Sequence, residues 1–231
     1  MASKHTPYFN LLDALKAPGC ALCRLGQRAA AQYLEAILYE SVNDAGTQHT
    51  LTKAHGLCPT HSEHLLRLRD SLGTAILYNA VLGHLLEELP QNGYLRADWL
   101  ERLATRLGGT RDRTPVLVPH AICPACRRRD EAADRAIEVF GEHHDDPDLR
   151  AALDASSGLC LPHIRQAVET LPGPALQPLL TRQQEAWRAL RAQLAELIRK
   201  NDYRFRDEGF GEEGDSWIRA VHATAGEPGV F

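Results

Sequence analysis

All six cysteines of this 231-residue chain fall into two equivalent groups, and each group is completed by a histidine. The first set is Cys20, Cys23, Cys58 and His61, and the second is Cys123, Cys126, Cys160 and His163. Both read C-x2-C, a long spacer, then C-x2-H, with 34 residues between Cys23 and Cys58 and 33 between Cys126 and Cys160. The sets are offset by 103 residues at the first motif and 102 at the second, so one indel relates them. The likeness continues around the ligands. Gly56-Leu57-Cys58-Pro59-Thr60-His61 parallels Gly158-Leu159-Cys160-Leu161-Pro162-His163, and Asp44 and Leu51 match Asp146 and Leu153.

Three thiolates and one imidazole complete a tetrahedral zinc shell and leave no position for water or substrate, which is the pattern of a structural site. Two zinc ions per chain are therefore expected, with an iron–sulfur cluster the less favoured metal reading. Two disulfides would not explain a histidine at the same place in each set. A thioredoxin-like redox pair would sit in a βαβ pattern that this sequence lacks, and a zinc-thiolate redox sensor stays open. The spacer is far longer than the roughly 12 residues of a nucleic-acid-binding finger and has room for a helix and its return. Shorter loop closure favours ligation within each repeat. An exchanged arrangement, with Cys20 and Cys23 completed by Cys160 and His163, stays open as well.

Helical spacing dominates elsewhere, so the expected fold is all-α: duplicated helical repeats, each stapled by its own zinc site and packed as one globular unit. The expected divisions are repeat 7–90, a helical linker 91–114 with a short helix at Asp98–Leu107, repeat 115–200 and an extension 201–231. Thr6-Pro7 opens the first helix, and Pro18-Gly19 stops it. A second helix runs from Cys20 to about Tyr39. A long helix from Cys58 to about Leu89 is expected to bury Leu65, Leu68, Leu72, Ile76, Leu82, Leu85, Leu86 and Leu89. Each ligand motif then begins a helix, whose N-terminal dipole favours the negative metal–thiolate centre.

Other candidates read more plainly. His143, His144, Asp145 and Asp146 look like a polar helix-to-loop transition rather than a metal site. His49, His55, His64 and His84 match no metal-binding motif and are expected to be solvated, although His64 could support the first metal. Arg127, Arg128 and Arg129 are partly neutralised by Asp130 and Glu131. The extension is acidic and holds Tyr203, Phe205, Phe210 and Trp217, so a short helix from Trp217 to Ala223 with several aromatics docked on the body is expected.

Composition narrows the function without naming it. A net charge of −4 and 6% aromatic residues disfavour nucleic-acid binding. No apolar run reaches the roughly 20 residues of a membrane span and no signal-peptide core follows Met1–Thr6, so a cytoplasmic protein is expected. The two ligand sets, with Asp202-Tyr203-Arg204-Phe205 and Gly214-Asp215-Ser216-Trp217 in the extension, resemble an uncharacterised bacterial family of double-cysteine-motif proteins, a domain of unknown function, over nearly the whole chain. That resemblance supports the metal ligands and implies no reaction. The expected role is a non-enzymatic, two-zinc scaffold or adaptor for a protein partner. An enzyme or small-molecule-binding protein with a pocket between the repeats is the alternative.

Overall fold

A computed structural model describes residues 4–89, 117–205 and 207–229. The linker 91–114, with its expected helix at Asp98–Leu107, lies outside the described residues, as does Phe231. The described residues form ten α-helices, one 3-10 turn and no strand. In chain order the helices are α1 (Thr6–Leu15), α2 (Ala21–Tyr39), α3 (Ala45–Lys53), α4 (Pro59–Arg67), α5 (Ser71–Glu88), α6 (Pro124–His143), α7 (Pro147–Ala155), α8 (Leu161–Thr170), α9 (Gly173–Lys200) and α10 (Ser216–Ala225). The turn is Tyr203–Phe205.

The chain divides into two compact units that cut across the sequence repeats. One is Met1–Gln32 with Arg128–Phe231, and the other is Tyr33–Arg127. The first is built on a continuous apolar cluster of Tyr8, Leu11, Leu22, Ile137, Leu149 and Leu153 with their neighbours. Burying side chains of this size contributes about 1.5–3 kcal/mol each. In the second unit Leu34, Leu51, Leu65, Leu77 and Val81 are buried.

Aspartate side chains cap the starts of α3, α5 and α7. Asp44 accepts the Thr47 N–H at 2.7 Å and starts α3; Asp146 accepts the N–H groups of Asp148 and Leu149 and starts α7. Each caps a nine-residue helix that buries the matched leucine, Leu51 or Leu153, and α7 buries Leu149 as well. Each of these helices is followed by a glycine that the turn requires: Gly56 has φ +94° and Gly158 φ +78°.

Two expectations about the helices are corrected. The single helix expected from Cys58 to Leu89 is two helices, because Arg69 turns left-handed (φ +57°) and Asp70 recaps the chain by accepting the Gly73 N–H at 2.8 Å. The break rotates the α5 face. Leu77 and Val81 point inward, while Leu72, Leu82, Leu86 and Leu89, expected to be buried, are exposed. In the extension α10 forms, but Tyr203, Phe210 and Trp217 stay largely exposed. Its anchors are polar instead: buried Ser216 and Glu213, the latter receiving Lys200 Nζ at 2.7 Å. Lys200 and the Gly211 N–H hold the Glu213 carboxyl down at about 2.

Candidate metal centres

Each ligand motif occupies the first turn of a helix. Cys58 is the N-cap of α4 and Cys160 the N-cap of α8, each with proline in the first two helical positions. Cys20 and Cys123 immediately precede α2 and α6, and their carbonyls accept the N–H groups of Arg24 and Arg127 at 3.2 and 3.0 Å. An x2 spacing then sets the second ligand in the same turn, on the same side of the helix as the first.

The structure brings these eight side chains together as two groups of four: Cys20, Cys23, Cys160 and His163, and Cys58, His61, Cys123 and Cys126. Ligation within each repeat, the arrangement favoured by loop closure, is thereby corrected to the exchanged one. The N-termini of α2 and α8 meet in one group, and those of α4 and α6 in the other. Each group falls inside one compact unit.

In the first group Cys20, Cys23 and Cys160 Sγ stand 3.3, 3.5 and 3.1 Å from His163 Nδ1, and Cys23 and Cys160 Sγ are 3.6 Å apart. In the second, Cys58, Cys123 and Cys126 Sγ stand 3.2, 3.6 and 3.4 Å from His61 Nδ1, with Cys58 and Cys126 Sγ 3.6 Å apart. All six cysteines are free thiols. A tetrahedral ion with bonds of about 2.3 Å to sulfur and 2.0–2.1 Å to nitrogen has edges of about 3.8 Å (S to S) and 3.5 Å (S to N). The donor sets have the size of one coordination sphere each and could bind a metal.

Electrostatics point the same way. Hydrogen bonds from Cys160 and Cys23 draw the Cys20 thiol far down. Cys160, against Cys20 and Cys23, is driven far up. Cys23 is lowered by Cys160 but raised by Cys20 and by burial, and is pushed up to about 12. In the second group burial and then Cys58 push Cys126 up to about 12. Three sulfurs in contact share protons poorly, and a divalent cation at their centre lets all three ionise.

The groups differ in their surroundings. The first is wholly buried, whereas Cys58, Cys123 and Cys126 of the second are half-exposed. The end of the chain also reaches the first group. Glu227 accepts the Cys20 N–H at 3.3 Å, and its own N–H donates to Cys23 Sγ at 3.5 Å. Beside the same group, within the first unit, lies a cleft of about 520 Å³ bordered by Gly19, Ser157, Trp187, Arg219, His222 and Glu227. Its walls come from both sequence repeats, Gly19 and Cys20 from the first and Ser157 and Trp187 from the second, and from the extension through Arg219, His222 and Glu227.

The remaining sequence candidates separate cleanly. His143 is buried with its ring 5.0 Å from that of Tyr8, and Asp146 is a helix cap bonded to Tyr8 and Lys4, so that cluster is structural. Arg128 and Arg129 pair with Glu131 and Asp130. Sequence reading missed a third group, His55, His84 and Glu88. The only available signal was the H-x3-E spacing of His84 and Glu88, which aligns them on one helix face.

Two three-cysteine, one-histidine donor sets, each joining a pair of helix N-termini and able to bind a metal, characterise the molecule. The chain belongs to a family of unknown function (DUF6062), whose model matches residues 8–229. It is 26% identical over 226 residues to an uncharacterized 23.9 kDa protein in the xynA 3′ region of Caldicellulosiruptor sp. (strain Rt8B.4), covering 94% of this chain and 99% of that protein. No solved structure matches the chain.

Proposed function

We propose that this protein is a non-enzymatic helical scaffold held by two structural zinc ions, one in each compact unit, and that it presents its surface to a protein partner. The observation that carries this reading is the pair of closed donor sets, each with all four ligand atoms within 4.8 Å of one another. A set that compact suits one ion, whereas a multi-iron cluster distributes its ligands over different irons. Thiolate-rich tetrahedral sites favour zinc among the abundant divalent ions. With all four ligands supplied by the protein, the ion contributes folding free energy rather than a reaction. A zinc ion with three thiolates carries a formal charge of −1, and each helix N-terminus aimed at it adds about 0.3–1 kcal/mol. The exposed leucines of α5, with Leu72 at 71% and Leu86 at 64% accessibility, support a protein partner.

The test is metal analysis of protein purified under reducing conditions, followed by cobalt substitution. Two thiolate-bound ions per chain, visible as two equivalents of thiolate-to-cobalt charge transfer, are expected, with loss of helical signal in excess chelator. A cooperative melt unchanged by chelator would overturn the reading. The cleft beside Cys20 and Cys160 favours a second reading, a small-molecule carrier. Its test is a ligand screen by thermal shift, with the signal abolished by Trp187→Ala.

A further inference from the structure

His55, His84, His120 and Glu88 converge in the Tyr33–Arg127 unit. His55 Nε2 and His84 Nε2 each lie 3.0 Å from a different oxygen of Glu88, Oε2 and Oε1, and His120 Nε2 lies 3.6 Å from Oε1. The His55 ring centroid is 6.2 Å from those of both His84 and His120. His84 and Glu88 sit one turn apart on α5, and a pair of that kind occurs on many helices without further meaning. His55 is different. Its side chain is only 9% exposed, and its backbone adopts φ +54°, which is costly for a residue with a Cβ. Its Nε2 is buried and, although 3.0 Å from the carboxylate, makes no hydrogen bond. A buried imidazole nitrogen aimed at a carboxylate edge in a geometry unsuited to hydrogen bonding costs free energy, unless a third atom takes up its lone pair. His120 is delivered to the same place by its backbone N–H, which donates to the Lys53 carbonyl at 2.9 Å.

We propose that His55, His84 and Glu88 form a third metal site, for a divalent first-row transition ion, with His120 close enough to supply a fourth ligand. The three ligand atoms lie within 4.8 Å of one another, and neighbouring nitrogen and oxygen ligands on an ion with bonds of about 2.0–2.2 Å are about 2.9–3.5 Å apart. The donor set differs in kind from the two thiolate centres. Imidazole and carboxylate suit zinc, iron, nickel or manganese, and three firm protein ligands leave at least one position for water or an exogenous donor. His84 and His120, with 34% and 69% of their side chains exposed, give solvent access to the ion.

The experiment is titration of the full chain with cobalt(II) alone after the thiolate centres have been filled, read by native mass spectrometry and by the ligand-field spectrum. A third equivalent without thiolate charge transfer is expected. It should be lost, with at least a tenfold weaker dissociation constant, in both His84→Ala and Glu88→Gln, while the thiolate bands of both variants stay at wild-type intensity. Those bands report the thiolate centres separately, so failure of the third site is distinguishable from failure of the two-zinc reading. Saturation without a third equivalent, or a third equivalent that survives both substitutions, overturns the proposal.

Discussion

Asp146 shows how much one side chain can organise. It caps α7, accepts the Tyr8 hydroxyl at 2.7 Å and pairs with Lys4 Nζ at 2.8 Å, tying the start of the chain to the repeat 138 residues later. Lys4, then Tyr8, holds its carboxyl well below the ordinary range. A depressed folded-state carboxyl stabilises the fold above its unfolded value of about 3.9, and that contribution disappears as pH falls through the folded value. Asp146→Asn should therefore lower the melting temperature at neutral pH. Its gap from wild type should narrow steadily below about pH 4 in melts followed by circular dichroism. Gly158 is the backbone counterpart. Its φ of +78° and a Cβ that would sit 2.6 Å from Gln183 Oε1 make Gly158→Ala costly by about 1–3 kcal/mol in urea unfolding. Gln183 cannot easily retreat, because its Oε1 accepts the Leu159 N–H at 2.8 Å.

Among the helices, α5 separates what an apolar pattern can and cannot say. Leucines recur along it on more than one face, and only the position of the preceding break decides which face turns inward. Arg69 and Asp70 supply that break through a left-handed residue and a cap, both weak signals inside an apolar run. Leu77→Ala should destabilise the protein by about 2–5 kcal/mol, since Leu77 is fully buried, whereas Leu72→Ser should stay within about 0.5 kcal/mol of wild type. Denaturant melts of the two variants check the inversion. The ligand-bearing helix starts were legible for the opposite reason: C-x2-C and C-x2-H each fit one helical turn, and Pro59, Pro124 and Pro162 mark the first turns independently. The His55, His84 and Glu88 group was not legible, because His55 reaches it from a separate segment through an unusual backbone angle.

At the scale of the molecule, the eight residues that gather into candidate metal sites were readable and their partnership was not. Joining Cys23 to Cys160 rather than Cys58 lengthens the closed loop, but closure cost grows only logarithmically. The penalty is about 1 kcal/mol, and about half that for the other site. Binding one structural zinc is worth about 10–16 kcal/mol in small zinc domains, so with the proposed ions bound the convergence of helix ends would outweigh proximity along the chain. A pair of double variants distinguishes the arrangements. Cys20→Ser with Cys160→Ser should cost one thiolate-bound cobalt per chain, and Cys20→Ser with Cys58→Ser should cost two; ligation within repeats reverses those numbers. The exposure difference adds a kinetic expectation. A chelator should strip the half-exposed Cys58 centre before the buried Cys20 centre, giving two phases in a colorimetric zinc-release assay.

The pairing of Cys20 and Cys23 with partners 137 residues downstream also has a temporal side. On a ribosome adding about 5–20 residues per second, this thiol pair is made on the order of 10 s before Cys160 and His163. Over that interval the centre built from Cys58, His61, Cys123 and Cys126 has already left the exit tunnel. The Cys58 group thus completes its donor set first, and with the proposed zinc as ligand the waiting Cys20–Cys23 dithiol is the stage most open to oxidation.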